Sequence, residues 1–172
     1  MNALEIEIAV AHFFGHRTNI IVPNVWWGMD GLDHECDLLV VSGSGYASEI
    51  EIKVTGSDIK RDLKKGRRRN YSGQEFQLAH RHCDIIKKLY FAVPLKLAQH
   101  PDIPEWAGIL AVKDIQDTVL FPRVVTIRPP HVNKDVRPLK DYEREKLLRL
   151  GVMRIWSLKG KILKLQKQKK ED

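Results

Sequence analysis

The sequence predicts an α/β fold in which a mixed β-sheet is covered by helices. Three observations support this prediction: an apolar helical stripe opens the chain, three β-rich runs separated by turn signals follow, and a charged helical segment precedes another apolar strand. A chain of 172 residues, of which 43% are hydrophobic and 30% charged, is long enough for one buried core and has an ordinary globular composition.

The first predicted element is a helix over residues 3–14. Apolar residues recur there at spacings of three and four, and Glu7 lies inside the apolar stripe, which is an unusual place for an unpaired acid. Residues 18–27 are rich in Ile, Val and Trp and predict a strand, which Pro23 either confines to an edge of the sheet or interrupts.

A β-hairpin is the next predicted element. Two β-rich runs, residues 35–42 and 46–54, flank the turn signal Gly43-Ser44-Gly45. If these three residues form the loop, the numbers of paired residues sum to 88, so Asp37 lies directly opposite Glu51.

The polar face of this hairpin carries acidic and basic side chains that could bind a metal ion and take part in catalysis. Because side chains alternate along a strand, Glu49, Glu51 and Lys53 share one face with Asp37, while Cys36 points the other way into the core. Like charges directly opposite each other destabilise a sheet, and a cation between them removes that cost. Two carboxylates suit Mg²⁺, and a neighbouring lysine can orient or deprotonate water and offset charge on a phosphate. The alternative is an amphipathic hairpin whose polar face is solvated.

The remaining elements complete the α/β pattern. Ser57 is a suitable N-cap for a basic helix over residues 58–65, which Gly66 ends. The pattern then predicts a short helix over residues 75–83, strands over 89–93 and 108–112, a helical turn over 95–99, and one or two edge strands within 119–127. The chain closes with a basic helical segment from about residue 139, interrupted at Gly151 and Gly160.

Positive charge is concentrated in two segments. The formal net charge is +7; residues 57–70 hold seven bases and two acids, and residues 134–172 hold thirteen bases and six acids. Two basic segments on an otherwise acidic body favour a polyanionic partner, nucleic acid above all, and a pair of solvated helices is the alternative.

Hydropathy, the N-terminal charges and the cysteine count argue against a membrane protein and a secreted protein. No apolar run approaches the roughly 18 residues that span a membrane, so no membrane partner is expected. Acids stand near the N-terminus, where a signal peptide carries bases, and two cysteines form no disulfide framework. We therefore expect a cytoplasmic protein with one domain over residues 1–130 and a basic, mostly helical extension over residues 131–172.

The hairpin and its surroundings resemble the PD-(D/E)xK nuclease superfamily. Asp37 matches the first acid of the motif, and Glu51-Ile52-Lys53 matches its second half. The longer string E-I-K-V-T-G-S-D-I-K-R-D, together with residues 82–84 and 89–94, is similar to a bacterial and phage group that includes MmcB-like DNA-repair proteins. The resemblance covers about residues 3–112 and implies a restriction-endonuclease-like αβββαβ core.

The resemblance also implies Mg²⁺-dependent hydrolysis of phosphodiester bonds in DNA, with Mn²⁺ as a second candidate ion. Asp37 and Glu51 would hold the metal, Lys53 would position the attacking water, and Glu7, with Glu5 as the alternative, would supply an acid from the first helix. The basic segment would track the nucleic-acid backbone through Lys60, Arg61, Lys64, Lys65, Arg67 and Arg68. Such a nuclease would act in repair, recombination or phage DNA processing.

Three departures from the superfamily keep other functions open. Cys36 stands where the motif has proline, and residues 66–74 look longer and more basic than in MmcB-like chains. The basic part beyond Pro130 lies outside the shared core. The rival prediction is a non-catalytic nucleic-acid-binding module with a nuclease-like fold, and a third is a protein–protein adaptor with a basic tail. A homodimer fits a nuclease that cuts both strands, although no residue in the sequence identifies its interface.

Overall fold

In a computed structural model, the fold is described for residues 1–25, 32, 35–65, 84–113 and 123–171, with side chains for all of these except 62–65 and 169–171. The helices are α1 (Ala3–Phe13), α2 (Gly56–Lys65) and α3 (Asp141–Glu171). The strands are β1 (Ile20–Val25), β2 (Cys36–Val41), β3 (Ala47–Ile52), β4 (Ile86–Pro94), β5 (Gly108–Lys113) and β6 (Arg123–Arg128), and a 3₁₀ turn over Leu95–Leu97 follows β4.

The six described strands form one mixed sheet in the order β1-β2-β3-β4-β5-β6. β1, β2 and β3 are antiparallel neighbours, β4 and β5 continue parallel to β3, and β6 returns antiparallel. The crossover between the parallel strands β3 and β4 contains α2, because parallel neighbours need a long connection. The predicted α/β architecture, a mixed sheet with flanking helices, is therefore confirmed.

Helix α1 covers one face of the sheet. Ile6, Ala9 and Val10 are buried against strand residues that include Leu38 and Ile50. The predicted stripe is therefore wrong in part: Leu4 and Ile8, which belong to one predicted apolar row, are exposed, and the buried face is turned toward Ile6 and Ala9, with Glu7 half-buried.

The opposite face is covered in two places. Leu139 and Leu147 of the C-terminal segment pack with residues of β1, β2 and β3. Ile59 of α2 packs with Phe91 and other residues of β4 and β5. Because β4 and β5 are covered on both faces, residues 89–94 and 108–112 are continuous apolar runs, whereas β3 keeps the alternating polar residues Glu49 and Glu51.

The β2–β3 hairpin has the predicted register and loop. Leu38 pairs with Ile50 and Val41 with Ala47, so the numbers of paired residues sum to 88. The N–H of Gly45 donates to the carbonyl of Ser42 at 2.8 Å and closes the turn.

Gly45 occupies a position in this loop that only glycine fits well. Its φ of +83° lies in the left-handed region, and a Cβ there would lie 3.2 Å from the Cβ of Pro138. We expect Gly45→Ala to lower the free energy of unfolding, measured in urea, by about 1–2 kcal/mol. Gly43→Ala is the matched control, because its Cβ would meet no described atom within 4 Å. Equal effects of the two substitutions would contradict this assignment.

Helix α2 begins two residues earlier than the sequence predicts. Its first residue is Gly56, and the Thr55 hydroxyl oxygen accepts a hydrogen bond from the N–H of Asp58 at 3.2 Å. Thr55, rather than Ser57, is therefore the cap, because its side chain reaches the orphan N–H groups of the first turn. The predicted helix over residues 75–83 and the first part of the predicted strand over residues 119–127 lie outside the described residues.

Helix α3 is continuous, and the predicted interruptions at Gly151 and Gly160 are wrong. A glycine inside a helix costs only about 1 kcal/mol relative to alanine. Near Gly151 tertiary packing opposes this cost, because Leu147 is completely buried and a Cβ on Gly151 would meet Val22 of β1 at 3.8 Å. At Gly160 a Cβ would meet no described atom within 4 Å, so the small size of the cost is the reason that the helix continues there. Within the described ranges, no helix combines the length and the apolar character needed to cross a membrane.

Candidate active site

The candidate site lies at the end of the β2–β3 hairpin. One position beyond the Leu38–Ile50 pair, the register places Asp37 opposite Glu51. The Oδ2 atom of Asp37 accepts a hydrogen bond from the backbone N–H of Ile52 at 2.8 Å, which holds the carboxylate against β3. The hairpin thus brings together the two acids that the sequence analysis singled out.

Lys53 contacts both of these acids. Its Nζ atom lies 3.5 Å from Oδ2 of Asp37 and forms an ion pair with Oε2 of Glu51. Lys53 and Glu51 are buried, whereas the side chain of Asp37 is 40% exposed, so the site opens to solvent beside Asp37. The ammonium offsets the repulsion between two carboxylates that the register forces together, in a place where water screens charge weakly.

Glu7 on α1 is close enough to Asp37 for their charges to interact. Burial is the larger cause that raises the pKa of Glu7, and the negative charge of Asp37 raises it further. Glu7 therefore keeps its proton to a higher pH than an ordinary glutamate does. A carboxyl with a raised pKa beside a second carboxylate is a common arrangement in active sites, although structural clusters also produce it.

Glu5, the alternative helix acid, has a different role. Its carboxylate accepts a hydrogen bond from the N–H of Asn2 at 2.7 Å, and its own N–H donates to the side chain of Asn2 at 3.0 Å. This reciprocal pair is a capping box that satisfies the first N–H groups of α1. Of the two acids, Glu7 is the one whose pKa is raised in part by the charge of Asp37, so Glu7 stays the predicted helix acid.

Two further residues shape the charge of the site. Glu49 is completely buried and pairs with Leu39 across the hairpin. The pKa of the Cys36 thiol is raised, first by burial and then by the negative charges of Glu49, Glu51 and Asp37. The thiol therefore stays protonated and acts as the buried core residue that the sequence predicts, rather than as a nucleophile.

His100 is a neighbour that the sequence analysis did not identify. A Cβ on Gly56 would lie 2.8 Å from Nε2 of His100, so the ring packs against the backbone at the start of α2. Its Nδ1 atom accepts a hydrogen bond from the N–H of Asp102 at 3.3 Å. No local pattern marks His100, because only the parallel pairing of β3, β4 and β5 brings the segment after β4 next to the residues after Lys53.

The structure describes some of the predicted nucleic-acid-binding residues and not others. Lys60 and Arg61 are exposed on α2, and Arg61 lies 3.7 Å from Asp58. The backbone of Lys64 and Lys65 lies in the last turn of α2, but their side chains, and Arg67 and Arg68 entirely, lie outside the described part of the chain.

The carboxylates of the candidate site can be compared with the ligands that a metal ion requires. Across the described residues, no group of three or more His, Cys, Asp or Glu side chains is arranged to hold a metal. Mg²⁺ needs less from the protein, because one or two carboxylates together with water and a substrate phosphate suffice. Asp37 and Glu51 supply two carboxylates that already approach one cation, the ammonium of Lys53. This set fits Mg²⁺ or Mn²⁺ bound together with substrate better than it fits zinc, which takes nitrogen and sulfur ligands.

Comparison with known proteins identifies a similar fold. A solved structure, the SPO1766 protein of unknown function from Silicibacter pomeroyi, matches with a TM-score of 0.58 and 13% sequence identity, over 91% of this chain and 88% of that chain. No protein-family model matches the chain, and no curated protein matches it in sequence. At 13% identity the likeness shows the fold alone: a six-stranded mixed sheet with flanking helices and a long C-terminal helix.

Proposed function

We propose that the protein is a metal-dependent deoxyribonuclease that hydrolyses phosphodiester bonds in DNA during repair, recombination or phage DNA processing. The observation that carries the proposal is the meeting of Asp37, Glu51 and Lys53 at one end of the hairpin, where Lys53 contacts both carboxylates. The resemblance of these residues to the PD-(D/E)xK motif supports it. So does the chain order helix, three strands, helix, strand, which is the order of a restriction-endonuclease-like core.

Each residue has a role in the proposed reaction that follows from its chemistry. Asp37 and Glu51 would hold Mg²⁺ or Mn²⁺, which supplies charge for the phosphate and lowers the pKa of bound water. Lys53, buried beside both acids, would orient the attacking water and offset charge on the phosphate. Glu7, whose pKa is raised, would hold or accept a proton next to Asp37.

Helix α2 would guide the DNA backbone to these residues. It begins three positions after Lys53, and its N-terminal end carries the partial positive charge of the helix dipole. Lys60 and Arg61 are exposed on the same helix. Contacts from such residues to phosphates would make DNA binding weaken as salt increases.

A cleavage assay tests the proposal. Purified protein would be incubated with linear, nicked-circular, single-stranded and branched DNA in Mg²⁺, Mn²⁺ or EDTA. We expect cutting that requires a divalent ion, stops in EDTA and disappears in Glu51→Ala, because the metal loses one of its two carboxylates. Cutting by Glu51→Ala at the wild-type rate would sink the proposal, since the activity would then come from another site or a contaminant.

A second candidate function is a nucleic-acid-binding module without catalysis. The observation that favours it is that the ammonium of Lys53 contacts both acids and offsets part of their negative charge, so the hairpin can fold without a metal ion at this position. Such a module would bind DNA in EDTA, with the same dependence on salt, and would cut none of the substrates in any metal. The cleavage assay therefore separates the two functions.

A further inference from the structure

Residues 148–165 of α3 carry a large exposed apolar face. Nine large apolar side chains there are between 45% and 65% exposed: Leu148, Val152, Met153, Ile155, Trp156, Leu158, Ile162, Leu163 and Leu165. At 3.6 residues per turn, all of them except Met153 fall within about half of the helix circumference, which is called the apolar half. Single exposed apolar residues are ordinary, but a contiguous patch of this kind marks an interaction surface.

The body of the protein holds α3 by a different face. Glu143 and Leu147 are completely buried, and the guanidinium of Arg154 donates to the carbonyl of Asn24 at 2.9 Å. The centre of the apolar half is turned by about 110° from this docked face. The described part of the body therefore anchors the helix mainly by this face, and it meets the apolar half near Gly151, where a Cβ would lie 3.8 Å from Val22.

The spacing within the apolar face is that of a coiled-coil seam. Ile155, Leu158, Ile162 and Leu165, together called the seam, follow one another at intervals of three, four and three residues. This places isoleucine at both a positions and leucine at both d positions of two heptads, and Leu148 occupies the a position one heptad earlier. Isoleucine at a with leucine at d favours a parallel pair of helices.

We propose that α3 binds α3 of a second copy of this chain as a parallel two-stranded coiled coil built on the seam. Leu148 and the seam occupy a and d positions and Val152 an e position, whereas Trp156 and Leu163 occupy b positions, which a two-stranded coil leaves on its outer side. The six inner side chains, each about half exposed, offer on the order of 300 Å² of apolar surface per copy. This is a small interface compared with the standard one, which buries about 800 Å² per partner, so we expect a reversible dimer. The inference is independent of the proposed nuclease activity.

The charge of α3 determines how this pairing depends on salt. Residues 154–170 contain seven Lys and Arg residues and no Asp or Glu, so two copies bring like charges together beside the seam. Lys159 and Lys161 take e and g positions and are exposed, so salt screens their repulsion, with a Debye length of about 8 Å at 0.15 M. Pairing therefore strengthens as salt increases, which is the reverse of binding to a polyanion.

Sedimentation equilibrium of the full chain tests the proposal. We expect a wild-type dimer whose Kd falls several-fold between about 0.05 M and about 0.5 M NaCl. The double variant Ile155→Ser/Ile162→Ser should raise Kd by at least about 100-fold. The matched control is Leu4→Ser/Ile127→Ser, which removes apolar side chains that are 62% and 47% exposed elsewhere and should leave the dimer intact.

Cysteine crosslinking tests the parallel arrangement. In a parallel pair the d positions face each other, so Leu165→Cys should form a covalent dimer with a mild oxidant, whereas Ser157→Cys, at an outer c position, should not. Absence of the Leu165→Cys crosslink in a dimer that the seam variant dissociates would overturn the parallel arrangement. A wild-type protein that stays monomeric at every protein and salt concentration would overturn the whole proposal. The same holds if the monomer uses its apolar face to bind anionic vesicles or DNA instead.

Discussion

Replacing Asp37 with Asn should lower the rate of metal-dependent DNA cleavage by on the order of 1,000-fold. The amide keeps the shape of the side chain and can still accept the hydrogen bond from the Ile52 N–H, which lies 2.8 Å from Oδ2 of Asp37. It loses the negative charge that would hold a divalent cation, and such an ion contributes several kcal/mol to the stabilisation of the transition state. Losing about 4 kcal/mol corresponds to that factor, because about 1.4 kcal/mol changes a rate tenfold.

The measurement is the initial rate of cleavage at saturating Mg²⁺, with the Tm of each variant recorded in EDTA. Lys53 keeps its ion pair with Glu51 in Asp37→Asn, so the hairpin should remain folded. Glu145→Gln is the matched control, because it removes one negative charge from an exposed pair on α3 and should cut like the wild type. A folded Asp37→Asn sample that cleaves at the wild-type rate would exclude Asp37 from the proposed metal site.

Replacing Arg137 with Met should lower the free energy of unfolding by about 3 kcal/mol at pH 7. Arg137 donates two hydrogen bonds to the carboxylate of Glu143, both at 2.7 Å, and Glu143 is completely buried. Without the arginine, the N–H of Lys140, at 2.6 Å, is the remaining described donor to this carboxylate. Removing one partner of a buried ion pair typically costs about 3–5 kcal/mol, and we expect the lower end because Arg137 is only partly buried.

The loss of stability should depend on pH. The hydrogen bonds from Arg137 are the largest cause of a lowered pKa at Glu143, below the ordinary value of 4.5, and they outweigh the opposing effect of burial. A carboxyl whose pKa is lower in the folded state stabilises the fold above its ordinary pKa, and that contribution is lost as the pH falls through the folded-state pKa. The difference in Tm between wild type and Arg137→Met, about 10 °C at pH 7, should therefore shrink in acid.

Thermal unfolding at several pH values checks this prediction against a surface pair. Arg149 and Glu145 also form an ion pair, at 2.6 Å, but their side chains are 76% and 62% exposed. Arg149→Met should therefore change the Tm little at any pH, because exposed ion pairs contribute little stability. Equal losses in Arg137→Met and Arg149→Met, or a loss that does not change with pH, would contradict the role assigned to the buried pair.

The hairpin shows why part of the candidate site could be predicted from the sequence. The loop Gly43-Ser44-Gly45 sets the register, and the side-chain period of two then sets the face. Both rules act over a few residues, so Asp37 and Glu51 could be placed opposite each other before the sheet was known. Lys53 follows on the same face, and its contacts with both acids agree with that placement.

The C-terminal segment has features that short-range sequence patterns cannot predict. Arg137 and Glu143 are two charges among many in a basic segment, and nothing in their spacing shows that one of them is completely buried. The glycines of α3 predicted breaks, but packing against β1 opposes the weak helix propensity of Gly151, and the helix also continues through Gly160, whose cost is only about 1 kcal/mol. His100 reaches the start of α2 only through the order of the strands.

The sequence by itself determined the α/β class, the hairpin with its facing acids, and the helices and strands that follow from short-range periodicity. Only the tertiary structure decided that Glu7 and not Glu5 approaches Asp37, that Lys53 joins the two acids, and that α3 is anchored on one face while its apolar face stays exposed. The physical reason is the separation along the chain over which each effect acts. Periodicity and turn chemistry act between neighbours in the chain, whereas burial and the electrostatic environment of a charge depend on residues that only folding brings together.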